Sequence, residues 1–534
     1  MADQQSDTVT VTINGERATV PKSMRIIEAA EHVGVGIAHY CYHPGLSAPA
    51  MCRMCLVEVE GAPKLAPACV TPVAEGQVIH TESDRAREAR RGTLEFYLLN
   101  HPLDCPICDK SGECKLQDYT HAEGRRHGRA IEPKRVLGQD DFGGDILYDG
   151  DRCIMCTRCV RFMREVAQDD RLCVVQRGHR SVIDTFFEHG VEGNLFAGNI
   201  VDICPVGALL SKDFLHKARV WDLDGNTSVC PNCTQGCNIR IDTRDNLVLR
   251  LRPRANPAVN SYWMCDYGRH RYEWLNVQDR VEAPLVRTGA GQLQATSWQN
   301  AVLALLERIR AAGGTGVTVI GSPFHGNEDN GMLAQVAAAL GGGTLAFRAE
   351  RAAEEIVLPG FPQLARRRDL AANVRGLQVL GFQRAADALS AGTGVVIALG
   401  DVLSDQAADW ARNAAVFVAI AAQTNAAVRA ADFVLPATTF AEMEGTFTNF
   451  EGRVQRFWPA VQPPPLARPA WQILGVLLAG LDESTTAPGT AADAFLRLGD
   501  QHAEYSGLSY DVIGSRGALM NEPVQLPAGA GRGA

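Results

Sequence analysis

The cysteines constrain this chain more than any other feature. All sixteen lie between Cys41 and Cys265, and fifteen of them fall into four groups. The N-terminus, MADQQSDTVTV, has neither a basic segment ahead of an apolar one nor an arginine-rich amphipathic presequence, so the chain is expected to stay in the cytoplasm. That compartment keeps thiols reduced, so sixteen cysteines are expected to ligate metal rather than pair as disulfides. A length of 534 residues leaves room for about three to five domains at roughly 100–200 residues each. A net charge of -9 argues against a general nucleic-acid binder, which carries a net basic face. No stretch approaches the roughly 18 consecutive apolar residues of a membrane span; the best, Trp471 to Leu481, is far too short.

Residues 8–20 read as a hairpin turning at Asn14-Gly15, and Arg25 to Val33 has helical spacing. Two strands, a helix and a glycine-rich loop bearing cysteines is the plan of a β-grasp ferredoxin. Its ligands are Cys41, Cys52, Cys55 and Cys69, spaced C-x10-C-x2-C-x13-C. Plant ferredoxins have a tighter first interval, C-x4-C-x2-C. The wider spacing resembles the [2Fe–2S] domains attached to hydrogenases and respiratory NADH dehydrogenases. Soft thiolates suit such a cluster; the competing reading is zinc, which usually takes two C-x2-C knuckles. An amphipathic helix over 84–100 then leads into His101, Cys105, Cys108 and Cys114. Three cysteines at C-x2-C-x5-C are one ligand short, and His101 is the obvious fourth. The string HPLDCPICD resembles the [4Fe–4S] site with one histidine and three cysteines of the same two families. Imidazole in place of a thiolate removes negative charge and should raise the potential, as in Rieske centres.

Residues 115–150 are polar and read as a connector. Cys153, Cys156 and Cys159 follow as the C-x2-C-x2-C half of a bacterial ferredoxin motif, with Cys204-Pro205 as the remote fourth ligand. A second cluster of such a pair would need cysteines at 163, 194, 197 and 200, where Met163, Asn194, Ala197 and Ile200 stand. Cys173 is left over; it competes for the fourth position but lacks the following proline, and reads as a structural thiol. The fourth group is Cys230, Cys233, Cys237 and Cys265, spaced C-x2-C-x3-C-x27-C ahead of a β-hairpin. It resembles the [4Fe–4S] site that opens the catalytic subunits of molybdopterin enzymes. In those a lysine often lies two residues after the last cysteine; here Tyr267 does.

From Trp298 on, helices and strands alternate, which predicts a parallel sheet covered on both faces. The run AADFVLPATTFAEMEGTFTNFEGRVQ, Ala430 to Gln455, resembles the cofactor-proximal signature of molybdopterin oxidoreductases. No cysteine remains to ligate molybdenum, the region is about half the length used by catalytic members of that family, and the lysine is missing. No molybdopterin is expected, and the domain reads as a scaffold kept for packing and docking. The last residues, ending AGAGRGA, read as a poorly ordered tail.

The four groups in this order resemble the large iron–sulfur subunits of respiratory complex I, the NADH:quinone oxidoreductases. The resemblance implies an α/β multidomain chain. Its parts would be a [2Fe–2S] β-grasp ferredoxin domain at 1–83, a histidine-ligated [4Fe–4S] domain at 84–123 and a [4Fe–4S] ferredoxin-like domain at 124–222. A molybdopterin-oxidoreductase-type [4Fe–4S] domain at 223–279, a degenerate α/β domain at 280–480 and a partly disordered extension at 481–534 would complete it. It implies one [2Fe–2S] and three [4Fe–4S] clusters. The implied partners are a flavin- and NADH-binding subunit, a small [2Fe–2S] subunit and a two-cluster ferredoxin-type subunit. The implied place is the peripheral arm of a membrane complex, on the cytoplasmic side of a bacterial inner membrane, with no nucleic acid involved. Electrons would enter at the [2Fe–2S] or His101 site, pass to the Cys153 site and leave to the ferredoxin-type subunit, with the Cys230 site off the path. No Walker loop or G-x-S-x-G elbow suggests any substrate-bonding residue. The rival enzyme reading, the catalytic subunit of an NAD-linked formate dehydrogenase, lacks its molybdenum ligand and its second ferredoxin cluster. The rival binding reading is a zinc-dependent assembly protein.

Overall fold

The computed structural model describes residues 7–313, 316–384 and 394–520. The chain forms two compact units. The first is Met1–Leu223 with the short segment Leu358–Pro362; the second is Asp224–Val357 with Gln363–Ala534.

The first unit begins with a five-stranded sheet in the order Glu16–Pro21, Thr8–Ile13, Val78–His80, Leu56–Val59, Ala66–Pro67. Thr8–Ile13 and Glu16–Pro21 pair antiparallel around Asn14-Gly15. Both turn residues have positive φ, 49° and 91°, which suits the right-handed twist of a two-residue hairpin. Val11, Ile13 and Val20 face inward against Ile26, Ala29 and Ala30 of the helix Ile26–His32. The Asp84–Leu98 helix starts at Ser83, whose hydroxyl accepts from the Ala86 amide.

The expected connector over 115–150 is folded instead. It holds the helix Lys115–Glu123, capped by Cys114, and the strands Gln139–Asp141 and Ile146–Asp149. Ile146–Asp149 pairs with Leu209–Ser211, some sixty residues on. A partner so distant leaves no local signal, and the polar composition of the segment hides the strands. Leu358–Pro362 joins this unit from the far half of the chain: the Gly360 amide donates to the Val166 carbonyl at 2.7 Å. A Cβ at Gly360 would lie 2.3 Å from the Glu165 carbonyl oxygen, so only glycine fits.

The second unit opens with a three-stranded antiparallel sheet, Asp224–Val229, Asn238–Arg244 and Leu247–Pro253. Its main sheet has eight strands in the order Leu293–Ala295, Leu285–Arg287, Phe433–Pro436, Val416–Ala421, Val395–Leu399, Thr318–Gly321, Thr344–Phe347, Gln383–Arg384. The last six pair in parallel, as the alternation of helices and strands predicts. Both faces are covered. Ile320, Val396 and Ala398 pack with Ala408 and Val428, while Val319, Val395 and Ile397 pack with Leu333 and Leu477.

The residues beyond 480, expected as an extension, belong to this core as far as 520. A capping box at Thr490 and Asp493 starts the helix Ala491–Gln501, which buries Ala494, Phe495 and Leu498. Ala518–Leu519 adds a strand beside Arg453–Phe457. The Tyr510 hydroxyl donates to Glu328 at 2.9 Å, and Tyr505 reaches Asn327 at 3.1 Å. The Thr/Ala/Pro/Gly-rich run before Thr490 masks this helix in the sequence. The expected disordered tail after 520 lies outside the described residues. No helix among the described residues is long and apolar enough to cross a membrane.

Glu328 makes the unit's stability depend on pH. Burial raises its carboxyl from 4.5 to about 8, against the pull of hydrogen bonds from the Thr446 amide and hydroxyl. The folded state therefore holds a proton that the unfolded state releases above about 4.5, so stability falls as pH rises from about 4.5 to about 8. Replacing Glu328 with Gln is expected to flatten that fall, measured as the denaturant midpoint at stepped pH.

Candidate metal centres

None of the sixteen cysteines is in a disulfide. Three of the four donor groups lie in the first unit. Cys41, Cys52, Cys55 and Cys69 are all buried, at 2% exposure or less. Cys52 accepts from the Tyr40 amide at 3.4 Å. Its thiol is pulled down to about 5 by hydrogen bonding from Cys41, while that hydrogen bond and burial push Cys41 up. The loop carrying them is held open by Ala50 and Arg53, non-glycine residues with φ of 53° and 56°. Such left-handed residues cost about 1–3 kcal/mol each and gather at functional sites.

Cys153, Cys156, Cys159 and Cys204 line one cavity, together with Tyr148, Ile154 and Val206. Met155 and Thr157, with φ of 52° and 59°, alternate with the cysteines, so that successive amides turn inward. The Met155 amide donates to Cys153 at 3.4 Å. Burial pushes the Cys153 thiol up to about 11 and that of Cys156 to about 12. The desolvated thiols of Cys153, Cys156 and Cys159 are anions only with a cation among them, which is the condition a metal cluster meets. Cys173 is elsewhere, on the strand Cys173–Val175, its thiol 3.6 Å from the Asp184 carbonyl. It does not line the cavity. The positions of the missing ferredoxin cluster are filled by packing: Met163 and Ile200 are fully buried, and Asn194 donates to Asp169 at 2.8 Å.

The His101 group lies next to this cavity along the chain Cys204–Gly207. The Lys115 amide donates to the Pro205 carbonyl at 2.9 Å. A Cβ on Gly207 would stand 2.2 Å from the Cys108 sulfur. Cys108 and Cys114 are buried, whereas Cys105 is exposed. Cys114 caps a helix, so the Gln117 and Leu116 amides point at its sulfur, which burial nonetheless raises to about 11. His101 Nδ1 is buried with no hydrogen-bond partner. Burial, with the charges of Lys134 and Arg152, depresses the imidazole to about 4, so it is neutral at pH 7, the form that ligates. A buried, neutral imidazole with an unpartnered nitrogen has the chemistry of a fourth ligand.

Cys230, Cys233, Cys237 and Cys265, in the second unit, are at most 4% exposed. Cys265 caps a short helix whose Gly268 amide points at its sulfur. A Cβ on Gly268 would sit 3.0 Å from the Cys230 sulfur, so the glycine leaves the space the donors share. The run Ala430 to Gln455 clamps this loop: Gln455 donates to the Gly236 carbonyl at 2.5 Å, and the Phe450 amide to that of Thr234 at 2.9 Å. Tyr267 is covered by Arg271, 4.4 Å above its ring. Sequence reasoning missed this clamp and also Arg367, which lies 3.7 Å over Phe450 while its amide faces the Cys233 sulfur. The triplet Arg366–Arg368 was the available signal. Among the described residues, no three His, Cys, Asp or Glu converge closely enough to hold a single metal ion.

Family models match in the same order. They are a 2Fe-2S iron-sulfur cluster binding domain over 6–84, the NADH-ubiquinone oxidoreductase-G iron-sulfur binding region over 90–129, and the ferredoxin-like domain of NADH-quinone oxidoreductase subunit 3 over 143–210. The NDSU1/NuoG-like 4Fe-4S domain follows over 233–273, and molybdopterin oxidoreductase over 364–479. Over its first half this chain is similar to the iron–sulfur subunits of complex I. It is 39% identical to the G subunit of NADH-quinone oxidoreductase from Rickettsia bellii over 303 residues, 57% of this chain and 44% of that protein. It is 40% identical to the corresponding G subunit from Mycobacterium bovis over 324 residues, 59% of this chain and 40% of that one. It is 44% identical to the mitochondrial iron-sulfur protein 1 of NADH dehydrogenase from Solanum tuberosum over 301 residues, 56% of this chain and 40% of that one. The chain thus spans less than half the length of these relatives. A crystal structure of an NAD+-reducing [NiFe]-hydrogenase aligns with 40% of this chain and 91% of its own, at 27% identity and a TM-score of 0.35. A 2Fe-2S domain and 4Fe-4S domains of the complex I type are therefore present, and oxidoreductase complexes of this type are where its relatives work.

Proposed function

We propose that this chain is the iron–sulfur electron-relay subunit of an NADH:quinone oxidoreductase, a proton-translocating enzyme whose flavin and quinone chemistry lies in other subunits. The observation that carries the reading is the adjacency, within one unit, of three donor groups, with Cys204–Gly207 touching two of them. Cys41, Cys52, Cys55 and Cys69 would hold a [2Fe–2S] cluster. His101, Cys105, Cys108 and Cys114, then Cys153, Cys156, Cys159 and Cys204, then Cys230, Cys233, Cys237 and Cys265 would each hold a [4Fe–4S] cluster. When bound, these clusters supply one-electron transfer and no bond to substrate. The chain's own contribution is to bury the donors, aim amides at the sulfurs and exclude water, which together tune potential. No molybdopterin is part of this reading, and the retained Ala430–Gln455 run, through Phe450 and Gln455 of its hairpin, acts as the clamp on the Cys230 loop.

Partners follow the same reading: a flavin- and NADH-binding subunit, a small [2Fe–2S] subunit and a two-cluster ferredoxin-type subunit, in a peripheral arm on the cytoplasmic side. The sequence suggests that the ferredoxin-type subunit meets the Cys153 site. Exposure favours the His101 site instead, because Cys105 is exposed and its neighbours Leu103 and Ile107 are 87% and 64% exposed.

Low-temperature EPR of the dithionite-reduced, iron-loaded chain tests the proposal. One [2Fe–2S] and up to three [4Fe–4S] signals are expected; bound zinc without signals, or stoichiometric molybdenum, would sink it. His101→Cys is expected to keep its cluster at a lower midpoint potential, since a thiolate adds the negative charge that imidazole withholds. An unchanged midpoint in a redox titration would show that His101 is not a ligand.

A further inference from the structure

Two arginines stand between the [2Fe–2S] loop and the Cys153 cavity, and among the described residues neither is paired with a carboxylate. Arg158 and Arg161 are 8% and 4% exposed. Arg158 donates to the Ile203 carbonyl, one residue before Cys204, at 3.0 Å, and to the Tyr42 carbonyl, one residue after Cys41. Arg161 donates to the Cys41 carbonyl at 2.6 Å and, with the same nitrogen, to that of Cys156 at 3.3 Å. Its other terminal nitrogen donates to the Ser47 carbonyl at 2.5 Å. Glu165 reinforces the joint by accepting from the Ser47 amide and hydroxyl at 3.0 and 2.6 Å.

A buried cation without an anion loses several kcal/mol of hydration that nothing repays, so a counter-charge is required. The groups that face Arg158 from the two loops are sulfurs: Cys156 and Cys204 on one side, Cys41 on the other. Arg161 also faces it and repels it, and the His39, His43 and Tyr119 rings lie near enough to feel its charge. Five carbonyls accept from the terminal guanidinium nitrogens but bring no net charge, and Arg158 Nε is left without a partner. A cluster held by either donor group would supply the missing negative charge.

We propose that Arg158 and Arg161 are shared counterions of the Cys41 and Cys153 cluster sites and set the midpoint potentials of both together. This rests on the cluster reading above. Reduction adds an electron, so a fixed positive charge close to a site favours its reduced form and raises its midpoint. One charge between two sites raises both, and removing it lowers both. As positioning residues the two arginines also fix the separation of the sites, because each spans carbonyls from both loops.

The test is an EPR-monitored redox titration of the full iron-loaded chain. In Arg158→Gln both midpoints are expected to fall, and in Arg158→Lys, which keeps the charge, both should return toward the wild-type values. If either midpoint stays in place in Arg158→Gln, or both fall equally in Arg158→Lys, the shared-counterion role is wrong. Should Arg158→Gln fail to hold a cluster, Arg161→Gln and Arg161→Lys carry the same reading. The two claims fail separately: absent cluster signals in the wild type defeat the relay reading, whereas unshifted midpoints in an intact variant defeat this one.

Discussion

Gly207→Ala is expected to abolish the His101 cluster while sparing the others. The added methyl carbon would stand 2.2 Å from the Cys108 sulfur and 3.3 Å from the Lys110 Cβ. No contact that short survives, so the sulfur or the loop must move. The Cys108 side cannot give easily: Arg219 donates to the carbonyls of Cys108 and Cys105 at 3.2 and 3.0 Å and stacks 4.9 Å over Trp221. The Gly207 side cannot give either, since the Asp149 amide holds the Ala208 carbonyl at 2.7 Å. Ligand geometry at a metal centre tolerates errors of only about 0.5 Å. The variant should lose about four irons per chain and one [4Fe–4S] signal, leaving the [2Fe–2S] signal unchanged. Iron analysis and EPR check this; full iron content with unaltered signals would mean that Cys108 is not held where it ligates.

Phe495→Ala is expected to destabilise the second unit by about 3–5 kcal/mol, the usual range for a buried Phe truncated in a packed core. Phe495 has no exposed surface and sits edge-on to Tyr505, ring centres 5.7 Å apart, and 5.8 Å from Tyr510. Tyr505 and Tyr510 in turn hold Asn327 and Glu328, the first residues of the helix Asn327–Ala339 that packs on the sheet. The cavity left by the truncation therefore opens under a polar network that cannot collapse into it. The measurement is the guanidinium midpoint of the second unit's transition in the full chain. A loss under about 1 kcal/mol would mean that residues 491–520 lie on the fold rather than in it.

How much of this was legible in the sequence differs element by element. The hairpin at Asn14-Gly15, the Asp84–Leu98 helix and the alternation after Trp298 could be read because turn chemistry and periodicity are local. The four donor groups could be read because thiolate ligands must recur at short spacings along a loop. His101 was suggested by counting, since three cysteines are one donor short. Three features were not. Strand Ile146–Asp149 pairs with Leu209–Ser211 across some sixty residues, and nothing local to either announces the other. The Leu358–Pro362 segment looks like an ordinary loop of the α/β half, yet Gly360 seats it against Val166. The helix at 491–501 follows a run rich in Thr, Ala, Pro and Gly, and its capping box went unread.

The sequence by itself determined which atoms can be ligands and in what order, because ligand type and spacing are covalent facts. It also determined the parallel sheet, through strands apolar on both faces. Only the tertiary structure decided which groups become neighbours. Arg158 and Arg161 are two cations in a cysteine motif until folding brings the Cys41 loop against them, and Gly207 is an ordinary glycine until Cys108 lies 2.2 Å from where its Cβ would be. The reason is physical: a buried charge or a missing methyl takes its meaning from what packs against it, and those partners come from parts of the chain distant in sequence.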